Sequence, residues 1–420
     1  MAARMRTPAG RGPTPRPSHA PGAPAPVGPG QWFATAAPGL EEVVAAEVAQ
    51  LPGAAEVVQV AGGVEFSGDL ALGMRANRSL RVATRVLRRL GVIESREFSK
   101  LERQAAKLDW PSYIDGAQPL RFEVSARSSR LYHTKAVAES LASAIAACTG
   151  HPVTFAPAHE PGSDETEAGE AGDVLRIFAR GERDRWTISV DSSGALLHRR
   201  GWRIEAGPAP LRETLAAGLL RLAGYDPAQP LVDPMCGSGT IVIEAAAIAR
   251  GLAPGAGRRF ALERWPAFAQ LPRPRPDDAR PGGAAAPIGA GPAPIWGFDA
   301  DPAVLAVAAR NAARAGVADQ IGFAPAALGP RAQVLGLPAG PGLVVVNPPY
   351  GRRLGQRGAA AHLVRVIGQD LRRRFPGWRA GILLADPAWA RGLGLPVVAS
   401  WPLHNGGLRV SYVMVAVPRA

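Results

Sequence analysis

The stretch that most restricts the fold runs from Leu231 to Arg250. An apolar strand end, Leu231-Val232-Asp233, passes through Pro234-Met235-Cys236-Gly237-Ser238-Gly239-Thr240 into an alanine-rich apolar helix, Ile241 to Arg250. Strand, glycine loop and helix in that order are the repeating unit of an α/β sheet. Gly237 and Gly239 would let the backbone approach a ligand closely, and the helix start offers free N–H groups to a carboxylate or phosphate. The loop has neither the Lys-Ser/Thr ending of a nucleotide P-loop nor the full G-x-G-x-x-G spacing of a dinucleotide fingerprint. A second strand, Ile295-Trp296-Gly297-Phe298, ends in Asp299, and Asp301-Pro302 opens a helix reaching about Ala315. An acid at the end of the second strand is where such folds hold ribose hydroxyls, which assigns that role to Asp299. Asp301 reads instead as a helix N-cap, with Pro302 at the first helical position.

A third apolar run, Leu343-Val344-Val345-Val346, ends in Asn347-Pro348-Pro349-Tyr350. In an exocyclic amine on a planar ring the nitrogen lone pair is delocalised, and it must be localised before it can attack a methyl donor. Two acceptors aimed at the N–H bonds achieve this. The Asn347 side-chain oxygen and the Pro348 carbonyl would supply them, because consecutive prolines hold the backbone extended with that carbonyl outward. Tyr350 would stack on a base drawn out of its helix or loop. Such chemistry needs neither a cysteine nucleophile nor a metal. An isolated N-P-P-Y would be only a turn, but here it follows the glycine loop and the strand-end Asp299.

Taken with further segments, these residues resemble the THUMP-domain RNA guanine-N2 methyltransferases, which modify bacterial large-subunit ribosomal RNA and related transfer-RNA sites. The likeness runs from about Phe33 to the C-terminus. It includes Phe33-Ala34-Thr35-Ala36-Ala37-Pro38-Gly39-Leu40-Glu41-Glu42, Gly62-Gly63-Val64-Glu65-Phe66, Leu131-Tyr132-His133-Thr134-Lys135, Leu211-Arg212-Glu213-Thr214-Leu215-Ala216, the glycine loop and Asn347 to Gly351. The resemblance implies S-adenosylmethionine as methyl donor, held by Asp233, Pro234, Cys236, Gly237, Ser238, Gly239 and Thr240, with Asp299 on its ribose. It implies Asn347, Pro348, Pro349 and Tyr350 as the catalytic motif. It also implies a Rossmann-like methyltransferase domain, with a mostly parallel seven-stranded sheet and an antiparallel C-terminal hairpin, preceded by an α+β ferredoxin-like and THUMP RNA-binding region. The partner implied is RNA, either 23S ribosomal or transfer RNA. Two departures stand out. Ala327 occupies the position where the family usually places an Asp against the adenine amine, and Arg352-Arg353 replace an acid after the catalytic motif, which would move a phosphate contact. Some relatives carry a second methyltransferase domain, whereas the reading here is of a single catalytic domain. The rival readings are a DNA adenine-N6 methyltransferase, which can use a similar tetrapeptide, and a non-catalytic RNA-binding assembly factor.

The remaining segments fit around this core. Residues 1–30 read as a basic, Pro- and Gly-rich disordered tail, 31–200 as the RNA-binding region, 201–226 as a linker with a connecting helix, and 227–420 as the catalytic domain with a low-complexity loop at about 272–294. A helix is expected over Asp69 to Leu90, its Arg75, Arg78, Arg81, Arg85, Arg88 and Arg89 forming either a phosphate-contacting stripe or an ordinary solvated face. By resemblance Arg127, Arg130 and Lys135 contact the RNA backbone. The formal net charge of +13 suits a polyanionic partner, although Arg-rich composition of a GC-rich genome gives the same sign. Two cysteines, Cys148 and Cys236, exclude a disulfide framework or a cysteine zinc site, and the seven histidines show no metal spacing. No uncharged apolar run reaches 18 residues, so no membrane span and a cytoplasmic location are expected. Trp265 reads as packing rather than an RNA contact. His404-Asn405-Gly406-Gly407 between apolar runs predicts a terminal hairpin.

Overall fold

The computed structural model describes residues 30–156, 174–205, 211–271, 293–328, 341–349 and 357–419. The first unit contains β1 (Gly30–Thr35), α1 (Glu41–Ala49), β2 (Ala55–Val60), β3 (Gly63–Gly68), α2 (Leu70–Ser79), β4 (Arg85–Glu94), α3 (Phe98–Ala105), β5 (Leu120–Arg127), α4 (Thr134–Thr149), β6 (Leu175–Glu182) and β7 (Arg185–Asp191). Its strands form a continuous sheet in the order β2-β3-β1-β4-β7-β6-β5, in which β5 and β6 run parallel and the other pairs antiparallel. The antiparallel pairing of β4 with β7 joins the two halves of this sheet.

One expectation fails here. The helix expected over Asp69 to Leu90 stops at Ser79, and from Arg85 the chain is strand β4. Arginine at intervals of three and four suggested a helical face, but Val82, Thr84 and Val86 are β-branched, and β4 finds partners on both edges. The arginines are consequently not a solvated stripe. Arg81, Arg85 and Arg88 are buried, with Arg85 ion-paired to Asp191 and Arg88 donating to the Tyr113 hydroxyl at 3.1 Å.

The second unit contains α5 (Glu213–Leu222), β8 (Leu231–Asp233), α6 (Thr240–Ala249), β9 (Ile295–Asp299), α7 (Pro302–Arg314), β10 (Ile321–Pro325), β11 (Leu343–Val346), α8 (Arg357–Arg374), β12 (Arg379–Leu384), β13 (Val397–Asn405) and β14 (Leu408–Ala416). Strand order is β10-β9-β8-β11-β12-β14-β13, parallel from β10 to β12 and antiparallel thereafter. This is the expected α/β architecture, Rossmann-like with an antiparallel terminal pair. The hairpin turns at Gly406-Gly407, whose φ values of 55° and 81° are those of a two-residue loop that matches strand twist.

The two units share buried surface. Trp265, from the segment after α6, is fully buried, stacked on Trp32 of β1 at 6.3 Å and edge-on to Tyr113 at 4.9 Å. It is packing, as the sequence indicated. Gly73 of α2 lies against Trp32 so closely that a Cβ there would come within 2.1 Å of the indole. A buried charge cluster crosses the same boundary. Glu244 of α6 accepts from Arg81 of the first unit at 2.8 Å and pairs with Arg200, just ahead of the linker, at 3.3 Å. Burial alone would raise the Glu244 carboxyl, but Arg200 and Arg81 together hold it below the ordinary carboxylate range. Replacing Glu244 with Ala should cost about 3–5 kcal/mol of unfolding free energy, because two buried guanidiniums lose their counterion. Urea unfolding of the purified variant checks this, and a wild-type midpoint would show the cluster to be dispensable.

Candidate active site

The site grows from the carboxyl ends of β8, β9 and β11. In the second sheet β8 is where the strand order reverses, with β9 and β10 on one side and β11 and β12 on the other. Loops leaving such adjacent strands diverge and open a crevice between them. Leu343 pairs with Leu231 and Val344 with Val232 in parallel register, so Asp233 and Asn347 leave the sheet at the same edge.

Local geometry explains the glycine loop. Gly237 and Gly239 have φ of 54° and 88°, in the left-handed region. At Gly237 a Cβ would meet nothing within 4 Å, so the loop presents open space there; at Gly239 it would press on Ala308 at 3.1 Å and Ile243 at 3.2 Å. The loop is stitched to β9. Cys236 N–H donates to the Phe298 carbonyl at 2.8 Å, and Gly237 N–H donates to Asp299 Oδ2 at 3.0 Å. Asp299 Oδ1 accepts from Asp301 N–H at 3.1 Å, and Asp301 caps α7 by accepting from Ala303 N–H at 2.8 Å. The capping reading of Asp301 therefore stands, whereas Asp299 has a bracing duty that the sequence did not suggest. From α7, Asn311 Nδ2 donates to the Ser238 carbonyl at 3.2 Å.

Asp233 is fully buried and accepts from Met235 N–H at 3.0 Å. Burial raises its carboxyl to about 8, and the neighbouring Asp299 adds to the rise. Cys236 is buried beside Gly297, and burial pushes its thiol up, so it is held protonated and is no nucleophile. At the end of β11, Asn347 is half-buried, Pro348 buried and Pro349 exposed. Tyr350, Arg352 and Arg353 lie outside the described residues. Ala327 is exposed just past β10, and the preceding Ala326 N–H donates to the Asp299 carbonyl at 2.9 Å. That places backbone groups, without an acidic side chain, next to the Asp299 corner.

Arg127, Arg130 and Lys135 are exposed and belong to the first unit, at the end of β5, in the loop after it and in the first turn of α4. They sit on the first sheet's unit, not on the strand ends that carry the glycine loop and Asn347. The Arg130 N–H donates to Asp184 at 2.7 Å, and the neighbouring Tyr132 is 67% exposed, its ring 4.2 Å from that of His133. Sequence reading gave no role to Arg203, which donates to Thr240 at the end of the glycine loop and pairs with Glu213 of α5. The run Arg199-Arg200-Gly201-Trp202-Arg203 leading into α5 was the sequence signal nearest to it.

A titration test follows from Asp233. Above 3.8 the unfolded chain releases this proton, while the folded chain keeps it up to about 8. The folded state therefore binds more protons across that window, and the stability present below it is progressively lost as pH rises through it. Asp233→Asn should flatten that part of the stability–pH profile; an unchanged slope in denaturant melts would contradict the burial of an uncharged carboxyl.

Comparison with known proteins points to methyltransferases. The family model described as UPF0020, RMKL-like methyltransferase domain, matches residues 200–410, and that of the RlmL ferredoxin-like domain matches residues 31–87. A putative RNA methyltransferase of Synechocystis, slr0064, is 33% identical over 386 residues, covering 90% of this chain and 94% of that protein. The ribosomal RNA large subunit methyltransferase K/L of Magnetococcus marinus is 33% identical over 396 residues, covering 91% of this chain and 52% of the relative. The chain thus spans about half the length of the K/L relatives. Among solved structures, SMU.472, a putative methyltransferase complexed with SAH, superposes with TM-score 0.77 at 26% identity over 94% of this chain and all of that one. A predicted N6-adenine-specific DNA methylase from Listeria monocytogenes gives 0.76 at 30% identity, over 93% of this chain and 97% of that one.

Proposed function

Because the chain belongs to the RMKL-like methyltransferase family, we propose that it transfers a methyl group from S-adenosylmethionine to the exocyclic N2 amine of a guanine in structured RNA, ribosomal or transfer. The observation that carries this reading is the convergence of Asn347-Pro348 and the glycine loop on one edge of the sheet, at its switch point.

The crevice suits the cofactor. The open space at Gly237 and the start of α6 would receive the amino-acid end of S-adenosylmethionine, held by Asp233, Pro234, Cys236, Gly237, Ser238, Gly239 and Thr240. Each oxygen of Asp299 already accepts one N–H, and the remaining lone pairs are those offered to ribose hydroxyls. With Ala327 exposed and uncharged, adenine is read by backbone groups beside it. The bound cofactor supplies an electrophilic methyl carbon. Asn347 and the Pro348 carbonyl accept the two amine N–H bonds, localise the lone pair and aim it in line, while Pro349 keeps the backbone extended and Tyr350 stacks on the base. No strong general base is required, since the amine proton becomes acidic as nitrogen gains charge. Arg352 and Arg353 are assigned to substrate phosphates. The region after the ferredoxin-like match, from α3 to β7, is proposed as a THUMP module with Arg127, Arg130 and Lys135 on the RNA backbone.

The 30% likeness to the Listeria protein whose name predicts an adenine-specific DNA methylase supports a second reading, methylation of adenine N6 in DNA. One assay separates the two. With labelled S-adenosylmethionine and separate pools of unmodified ribosomal RNA, transfer RNA and duplex DNA, nucleoside mass spectrometry should find N2-methylguanosine in one RNA pool. N6-methyladenine in DNA would instead establish the rival.

Asn347→Ala should lower turnover about a hundredfold or more while calorimetric cofactor affinity stays near wild type. Wild-type turnover in that variant would remove Asn347 from the chemistry. Replacing Arg127, Arg130 and Lys135 by Ala should weaken RNA binding and reduce the steepness of its salt dependence by roughly one in slope for each lost contact. Titrations at several salt concentrations would show it, with cofactor binding unaffected.

A further inference from the structure

The helix that follows the glycine loop has an unusual start. The N-cap of α6 is Gly239, which has no side chain to satisfy the first-turn N–H groups, so those groups stay available to a ligand. What fixes the turn comes from outside it. Arg203, in the linker between the two sheets, donates from Nη2 to the Thr240 hydroxyl at 2.6 Å and to the Leu211 carbonyl at 2.8 Å. Its Nε lies 3.2 Å from Glu213, whose side chain is 3% exposed, and its guanidinium sits 5.4 Å from the Trp202 ring. Thr240, the first residue of α6, is itself buried. Two hydrogen bonds from Nη2, to a hydroxyl and a carbonyl, together with the charge pairing to the Glu213 carboxylate, hold this guanidinium against Thr240.

We propose that Arg203 is a positioning residue for the cofactor loop: it holds Thr240, and through it the turn at Gly237 to Gly239, in the geometry that receives the methyl donor. The proposal rests on the reading that this loop holds S-adenosylmethionine. Arg203 touches neither cofactor nor substrate. Its loss would loosen the loop and cost cofactor affinity, whereas the amine-holding groups at Asn347 and Pro348 lie on another strand end and would keep their geometry. The kinetic signature is therefore a raised KM for S-adenosylmethionine with kcat largely restored at saturation.

The test is a double-mutant cycle on the full chain. Arg203→Ala and Thr240→Val should each weaken S-adenosylmethionine binding by calorimetry, Arg203→Ala about tenfold. The double variant should bind no more weakly than the worse single one, because Arg203 acts through Thr240. Arg203→Lys keeps the charge beside Glu213 but cannot span all three acceptors, so it should fall between wild type and Ala and remains testable if Ala does not fold. Additive losses, or a fall in kcat with KM for S-adenosylmethionine unchanged, would overturn the assignment. If the wild-type chain itself bound no S-adenosylmethionine, the functional reading would fail first; wild-type binding with unaltered affinity in the Arg203 variants would sink this inference alone.

Discussion

Much of the molecule depends on one carboxylate. Glu244 sits one helical turn after the glycine loop and is shared by Arg81 from the first sheet's unit and Arg200 from just ahead of the linker. Bringing three charges out of water is expensive, and their attraction returns little net stability; the cost of leaving any one unpaired, however, is large. The cluster therefore acts chiefly as a selector of geometry. Apolar surfaces alone would tolerate sliding of α6 against the first unit, but a displaced α6 would strand a buried charge. Arg81 is fixed in turn, since Glu47 of α1 accepts from the backbone N–H groups of Arg81 and Val82 at 3.0 and 2.9 Å.

With α6 seated, the remaining parts of the crevice follow from sheet topology. Parallel strands deliver their carboxyl ends to one edge, and the reversal of order at β8 separates the loops that leave it. Asp299 then serves as a buttress, its two oxygens taking one N–H from the glycine loop and one from the approach to α7. The burial that makes Asp233 hold its proton comes from the same enclosure by β9 and β11.

The legible parts of the sequence were those where local chemistry and tertiary role coincide. Asp301-Pro302 states a helix start in any context, and Asn-Gly within His404-Asn405-Gly406-Gly407 states a hairpin, whose two loop residues are Gly406 and Gly407. The glycine loop was readable because left-handed backbone admits few other residues. By contrast, the arginines from Arg81 to Arg89 carry a helical spacing that pairing with β1 and β7 overrides; their partners, Asp191, Tyr113 and Glu244, lie far away in sequence, where no window of residues can reveal them. Helix α8 also went unread, although Ala360, Val364, Ile367 and Leu371 mark its buried face at intervals of three and four. Arg203 was invisible for a different reason, since its meaning lies wholly in where its guanidinium ends.

The stack of Trp265 on Trp32 bears on how such a chain can be divided. The segment following α6 threads back into the first unit, where Leu262 N–H donates to the Ser192 carbonyl, Gly255 N–H to the Arg78 carbonyl, and Trp265 fills the space beside Tyr113. A cut at the linker would separate two sheets yet leave this plug without its socket, exposing an indole and a gap of matching shape. The boundary in sequence is thus not a boundary in the core: recombination or truncation at the linker would inherit half of a shared interior.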